Sequence, residues 1–163
     1  MKILITGGAG FIGKYLTKYL IENKNEVTIF DNFSNSSKNE MKKELDGVPF
    51  IEGDIRNLEE ILKHLKNYDM VIHLAAKISV TDSIKNPKET FDVNVEGTKN
   101  ILKACDKNEL GQNIFARIPL RKITTDFYTH QFLELSLIDR YFYPANLNTL
   151  NFNLLFCICF TKF

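Results

Sequence analysis

The residues best suited to chemistry form one short turn, Thr6-Gly7-Gly8-Ala9-Gly10-Phe11-Ile12-Gly13. It lies between the apolar run Ile3-Leu4-Ile5 and the stretch Phe11 to Glu22, in which Ile12, Leu16, Tyr19 and Leu20 recur at helical spacing. Glycines at a strand-to-helix junction have a definite physical use. They permit positive φ in the turn, a missing Cβ at Gly10 lets a pyrophosphate approach the backbone, and Gly13 lets the helix pack closely on the strand. The helix start then offers unpaired N–H groups and a partial positive charge to an anion. Alone, such a triplet could equally be an ordinary tight turn. Its surroundings favour the chemical reading: Asp31 directly follows the apolar run Val27 to Phe30, eighteen residues after Gly13, where a dinucleotide fingerprint has the acid that accepts hydrogen bonds from the adenosine ribose. A carboxylate there repels a 2′-phosphate, which favours NAD over NADP. The weaker alternative is that Asp31-Asn32 is only a turn after a strand. Gly7, Gly10, Phe11, Ile12, Gly13, Asp31 and Asn32 are the cofactor contacts expected from this part of the chain.

Other reactive residue types form no comparable constellation. Cys105, Cys157 and Cys159 are an odd set without matching histidines, which argues against a disulfide framework and a zinc site and fits a reducing cytoplasm. No metal site is expected. Lys and Arg number 21 against 20 Asp and Glu, with no run of like charge, so neither nucleic acid nor an anionic membrane is an expected partner. No apolar run approaches the ~20 residues of a membrane span, and Met1-Lys2 leads straight into Ile3-Leu4-Ile5 without a signal-peptide pattern. The expectation is a soluble cytoplasmic protein with a small-molecule partner.

The elements that must position the turn alternate regularly. Strands are predicted at Lys2 to Thr6, Val27 to Phe30, Val48 to Glu52, Met70 to Leu74 and Gln112 to Ala116. Between them lie helices at Phe11 to Glu22, at Lys38 to Leu45, and at Leu58 to Leu65 with Asn57 as N-cap and Leu58, Ile61, Leu62 and Leu65 inward. Pro87 sits where a helix can start, and Phe91, Val95, Thr98, Leu102 and Cys105 mark one face of a long helix after it. Continuously apolar strands alternating with helices predict an α/β fold, a Rossmann-type doubly wound parallel sheet with right-handed crossovers. His73 reads as a packed strand residue and Lys77 as a solvated loop lysine.

With Gly7 to Gly13 and Asp31 in place, later segments resemble the extended short-chain dehydrogenase/reductase family, in particular its NAD-dependent nucleotide-sugar epimerases and dehydratases. They are Gly53-Asp54-Ile55, Val71-Ile72-His73-Leu74-Ala75-Ala76, the loop Val80 to Pro87 with Ser83, and Asn94-Val95-Glu96-Gly97-Thr98-Lys99-Asn100. The resemblance implies that Asp54 lies near the adenine and that Ile55 packs on its ring. It implies further that Leu74, Ala75 and Ala76 line the cofactor, and that Asn94 lies on the nicotinamide side unless it is only a locally hydrogen-bonded helix residue. Gly97 inside a helix costs about 1 kcal/mol relative to Ala, which suggests close packing against the sheet. A homodimer is left open, and a nucleotide-sugar substrate is implied only for a full-length relative.

The resemblance runs from Met1 to about Ala116. The family's Ser or Thr contacts to the sugar are replaced by Arg117 and Ile118, and none of Tyr15, Tyr19, Tyr68, Tyr128, Tyr141 or Tyr143 has Lys four residues later. In the family such a lysine lowers the tyrosine pKa so that the phenol exchanges a proton as hydride moves. No catalytic residue is therefore assigned. Residues 117–163 contain no glycine, are rich in Phe, Tyr, Leu, Asn and Ile, and show no clear period. Three readings follow. In the first, residues 1–116 are an NAD-binding domain of about five strands, ended by a frameshift or truncation, and residues 117–163 are a tail without assignable fold, not a native domain. In the second, the chain is a non-catalytic NAD-binding module whose tail binds a protein. In the third, an oxidoreductase uses other groups such as Tyr128 or His130. The first accounts best for the tail.

Overall fold

A computed structural model describes residues 1–108 and the backbone of 114–116. Expectations for Arg117 onward, including Tyr128, His130, Cys157 and Cys159, lie outside the described residues.

Five strands, β1 (Lys2–Thr6), β2 (Glu26–Asp31), β3 (Phe50–Glu52), β4 (Met70–His73) and β5 (Ile114–Ala116), form one parallel sheet in the order β3-β2-β1-β4-β5. The chain winds outward from β1 to β3, then crosses to the other side of β1 for β4. The carboxyl ends of β1 and β4 therefore mark the switch point, where open α/β sheets bind ligands.

Both faces of the sheet are covered, which is why the strands lack a polar side. Leu4, Phe30 and Val71 point to one face and pack with Ile61 and Leu65 of α3 (Leu58–Leu65) and Ile101, Ala104 and Cys105 of α6 (Thr98–Lys107). Ile3, Ile5, Val27 and Ile72 point to the other, against Leu20 of α1 (Phe11–Glu22). Next to them Ile29 meets Met41 of α2 (Lys38–Glu44). Each fully buried Leu, Ile or Phe contributes about 1.5–3 kcal/mol. Asn57 caps α3 as expected, accepting from Glu60 N–H at 3.3 Å.

Three expectations are corrected. First, α1 turns Gly13, Thr17 and Leu20 inward, while Ile12 and Tyr19 are 46% and 42% exposed, because close packing of the glycine turn rotates the helix away from the simple apolar stripe. Second, the segment expected as a loop from Val80 contains α4 (Val80–Lys85), started by Ser79, whose hydroxyl accepts from Asp82 N–H at 3.2 Å. Third, the long helix is not regular. A short α5 (Pro87–Phe91) passes into a π-helical segment, Asp92–Gly97, before α6. Thr98 and Cys105 of the expected face are buried, but the wider turn also puts Asn94, Gly97 and Ile101 inside and leaves Phe91, Val95 and Leu102 only partly buried. A strict 3.6-residue period cannot anticipate that shift.

Candidate functional site

The glycine turn is built around contacts no side chain could share. Gly7 has φ +70°, and a Cβ on it would lie 2.6 Å from Ala75 N. A Cβ on Gly13 would meet Gly8 Cα at 2.5 Å and the Gly7 carbonyl oxygen at 2.6 Å, so Gly13 seats α1 on the turn itself. Among the described residues, a Cβ on Gly10 would meet only the Gly7 carbonyl, at 3.3 Å. That position is open, and Gly10 begins α1 without a side-chain cap or an acidic residue in the first turn. The first N–H groups of α1 therefore face an uncompensated space suited to an anion. Phe11 and Ile12 stand exposed on this first turn, with Phe11 stacked edge-on against Tyr15 at 5.1 Å.

Asp31 joins the turn to the loop after β2. Its carboxylate accepts from Ala9 N–H at 3.1 Å and from Phe33 N–H at 2.8 Å. Beside it Asn32 Nδ2 donates to Asp54 at 3.3 Å, linking the carboxyl ends of β2 and β3. Asp54 also binds the Arg56 guanidinium at 2.6 Å and its amide at 2.8 Å, and these bonds hold its carboxyl down to about 2. Asn100 Nδ2 pins the same loop by donating to the carbonyls of Ile55 and Arg56. The Ile55 side chain is in the core, 5% exposed, filling the space where Gly97 has no Cβ. Gly97 accordingly packs on Ile55 after β3, a correction to its expected contact with the sheet.

The opposite wall is the exit of β4. Leu74 N–H donates to the Thr6 carbonyl at 2.9 Å, and Ala75 and Ala76 follow, half-buried. Asn94 is not a locally bonded helix residue. Its Oδ1 accepts from Lys77 N–H at 2.8 Å and its Nδ2 donates to the Lys77 carbonyl at 2.9 Å, so it grips the wall by both backbone edges. Lys77 is not freely solvated either: it pairs with Glu89 at 2.7 Å. His73 is fully buried between Thr6 and Thr98, and burial pulls its pKa down to about 4. No hydrogen-bonding role was expected of Thr6, Thr98, Arg56 or Asn100. A threonine in or beside a regular element carries no sequence mark of a buried hydrogen bond, and the two loop clamps depend on tertiary proximity. Among the described residues no cluster of His, Cys, Asp or Glu could hold a metal ion, and no helix is long and apolar enough to cross a membrane.

Known proteins share both the sequence and this architecture. The family model described as the NAD dependent epimerase/dehydratase family matches residues 3–117. A UDP-glucose 4-epimerase of Klebsiella pneumoniae is 40% identical over 111 residues, covering 64% of this chain and 79% of that protein. A CDP-paratose 2-epimerase of Salmonella typhi is 35% identical over 119 residues, covering 70% of this chain and 35% of that protein. The crystal structure of UDP-glucose-4-epimerase from Stenotrophomonas maltophila with bound NAD and formylated UDP-arabinopyranose superposes with a TM-score of 0.70 at 26% identity, over 86% of this chain and 48% of that one. The chain spans little more than a third of the length of several curated relatives. With a family match over most of its length and the glycine turn set at the sheet's switch point, this chain belongs to the NAD-dependent epimerase/dehydratase family.

Proposed function

We propose that this chain is the NAD-binding amino-terminal portion of a nucleotide-sugar epimerase/dehydratase, with residues 1–116 as the cofactor-binding domain and without turnover by itself. The observation that carries the reading is the open, uncapped start of α1 at Gly10, set against the β4 exit through the Gly7 and Ala75 contact. Gly7, Gly10, Phe11, Ile12 and Gly13 would hold the pyrophosphate. Asp31 would take the adenosine ribose: a carboxylate has about four acceptor positions, and Ala9 and Phe33 use two, which leaves two for a pair of vicinal hydroxyls. Asn32, Asp54 and the Ile55 backbone would border the adenine, and Leu74, Ala75, Ala76 and Asn94 the nicotinamide side. Bound NAD supplies a hydride acceptor, and the chain's own contribution is to bind and orient it. Inactivity alone follows from the missing Tyr and Lys pair, since no tyrosine of the chain has a lysine four residues on.

Calorimetry with both cofactors tests the reading. NAD should bind more tightly than NADP, and Asp31→Ala should weaken NAD about tenfold and narrow the gap. A preference for NADP in the unaltered chain removes Asp31 from its role. No turnover is expected with UDP-glucose, UDP-galactose or dTDP-glucose; turnover that Gly10→Val abolishes would overturn the claim of inactivity.

A further inference from the structure

We infer that His73 is held as the neutral Nε2–H tautomer in a one-directional hydrogen-bond chain from Thr6 through His73 and Thr98 to the Asn94 carbonyl, and that this chain positions the cleft wall Leu74–Lys77. The positioning part rests on the reading of the cleft as the NAD site. The direction follows from where each proton can go. Thr98 Oγ1 lies 2.8 Å from the Asn94 carbonyl oxygen, which can only accept, so the hydroxyl proton is committed there. The same hydroxyl faces His73 Nε2 at 3.0 Å and must accept from it, which puts the ring proton on Nε2. Nδ1 is then a bare acceptor, and Thr6 Oγ1 donates to it at 2.6 Å. A lone pair of Thr6 Oγ1 remains to face Ala75 N–H at 3.4 Å. Each polar hydrogen is used once. The reverse tautomer would make Nδ1–H donate to Thr6, whose own proton then has no acceptor among the described residues, and would take the Thr98 proton from the Asn94 carbonyl. An imidazolium fails at the same point and would place an unpaired charge in a fully buried site.

Both ends of this chain lead into the wall. Thr6 faces the Ala75 amide, whose nitrogen is pressed against Gly7, the first glycine of the turn. Asn94, whose carbonyl ends the chain, holds Lys77 by its N–H and C=O. One neutral, fully directed network therefore connects the last residue of β1, the last residue of β4 and the π-helical segment, and it holds the backbone on either side of Ala76. An apolar side chain at position 6, 73 or 98 could fill the space but could not transmit that register.

Two measurements on the full chain test this. Long-range nitrogen–proton spectra of histidine-labelled protein, with His73 assigned through His73→Gln, should show a single Nε2–H tautomer that persists from about pH 8 to about pH 5. An Nδ1–H form, a mixture of tautomers, or an imidazolium near neutral pH overturns the inferred direction. NAD calorimetry supplies the second arm: Thr98→Val should weaken binding about tenfold, and Thr98→Ser, which keeps the hydroxyl, should stay within about threefold of the unaltered chain. Unchanged affinity in folded Thr98→Val overturns the positioning role. If Thr98→Val does not fold, Thr6→Val and Thr6→Ser supply the same comparison, and the tautomer spectrum needs no variant. Failure of the unaltered chain to bind NAD counts against the proposed function, while the spectrum still judges the network.

Discussion

Three glycines of one turn lack a side chain for different reasons, and substitutions should separate them. Gly7 combines φ +70° with a Cβ position 2.6 Å from Ala75 N, and Gly13 abuts the backbone of Gly8. Alanine at either requires backbone movement, so denaturant titration should show a loss of about 1–3 kcal/mol or more. Gly10 has ordinary extended dihedrals and, among the described residues, only the Gly7 carbonyl near its missing Cβ. Gly10→Ala should therefore keep most of the stability while weakening NAD, and an equal loss of stability at all three positions would contradict the distinction. His73 makes a prediction of its own about pH. Its folded pKa of about 4 lies below the ordinary value near 6.5, so the unfolded chain binds a proton that the native state refuses. No stability is at stake above about pH 6.5. As pH falls from there toward 4, stability is lost, on the order of 3 kcal/mol at most. Asp54 acts in a separate, more acidic window: its carboxyl is lowered to about 2, mainly by Arg56, and the stability this gives is lost as pH falls from about 3.8 toward 2. Denaturation curves at stepped pH should show the first slope disappear in His73→Gln and the second persist.

At the scale of elements, α1 contains an identifiable defect. Thr17 is fully buried on its inner face, and its hydroxyl has no hydrogen-bond partner among the described residues. A buried hydroxyl left unpaired costs about 1–3 kcal/mol, so Thr17→Val, nearly the same shape without that group, should raise the unfolding free energy by about 1 kcal/mol. A destabilised variant would mean that the hydroxyl is paired in solution. The same helix illustrates how far sequence carries. The alternation of apolar strands and helices, the Asn57 cap and the place of Pro87 were all legible because each depends on local chemistry. The inner face of α1 was legible in part: Leu16 and Leu20 of the stripe pack inward, while Ile12 and Tyr19 lose to the tight seating of Gly13 on the turn. The π-helical segment was hidden for a related reason: its extra width serves Asn94, Gly97 and Thr98, whose partners Lys77, Ile55 and His73 are distant in sequence. In the cleft, Gly7 to Gly13 and Asp31 were legible because backbone conformation and charge restrict residue type. Thr6 and Asn100 were not, because many residue types suit their local structure and only the fold shows what they hold.

For the molecule as a whole, the question is whether the cleft and the core open together. Cys105 can report on this. It is fully buried in the core between α3, α6 and the sheet, and burial pushes its thiol up to about 12, so it cannot react with a thiol reagent until that face opens. The glycine turn lies at the top of the same sheet, with α1 on the opposite face. If the described residues unfold as one cooperative unit, NAD bound at the turn stabilises them by RT ln(1 + [L]/Kd), about 2.7 kcal/mol at a concentration of 100 Kd. Labelling of Cys105 through the open state should then slow about a hundredfold, provided closing outpaces the reagent. The measurement uses the full chain with Cys157→Ser and Cys159→Ser, so that one thiol reports. Gly10→Val should leave the rate without cofactor close to that of the parent and remove the protection by NAD. Protection lost along with a much faster basal rate would instead assign Gly10 to folding. Labelling indifferent to NAD, in a chain that calorimetry shows to bind it, would mean that α6 opens without the turn, and the two faces of the sheet would then be separate units of stability.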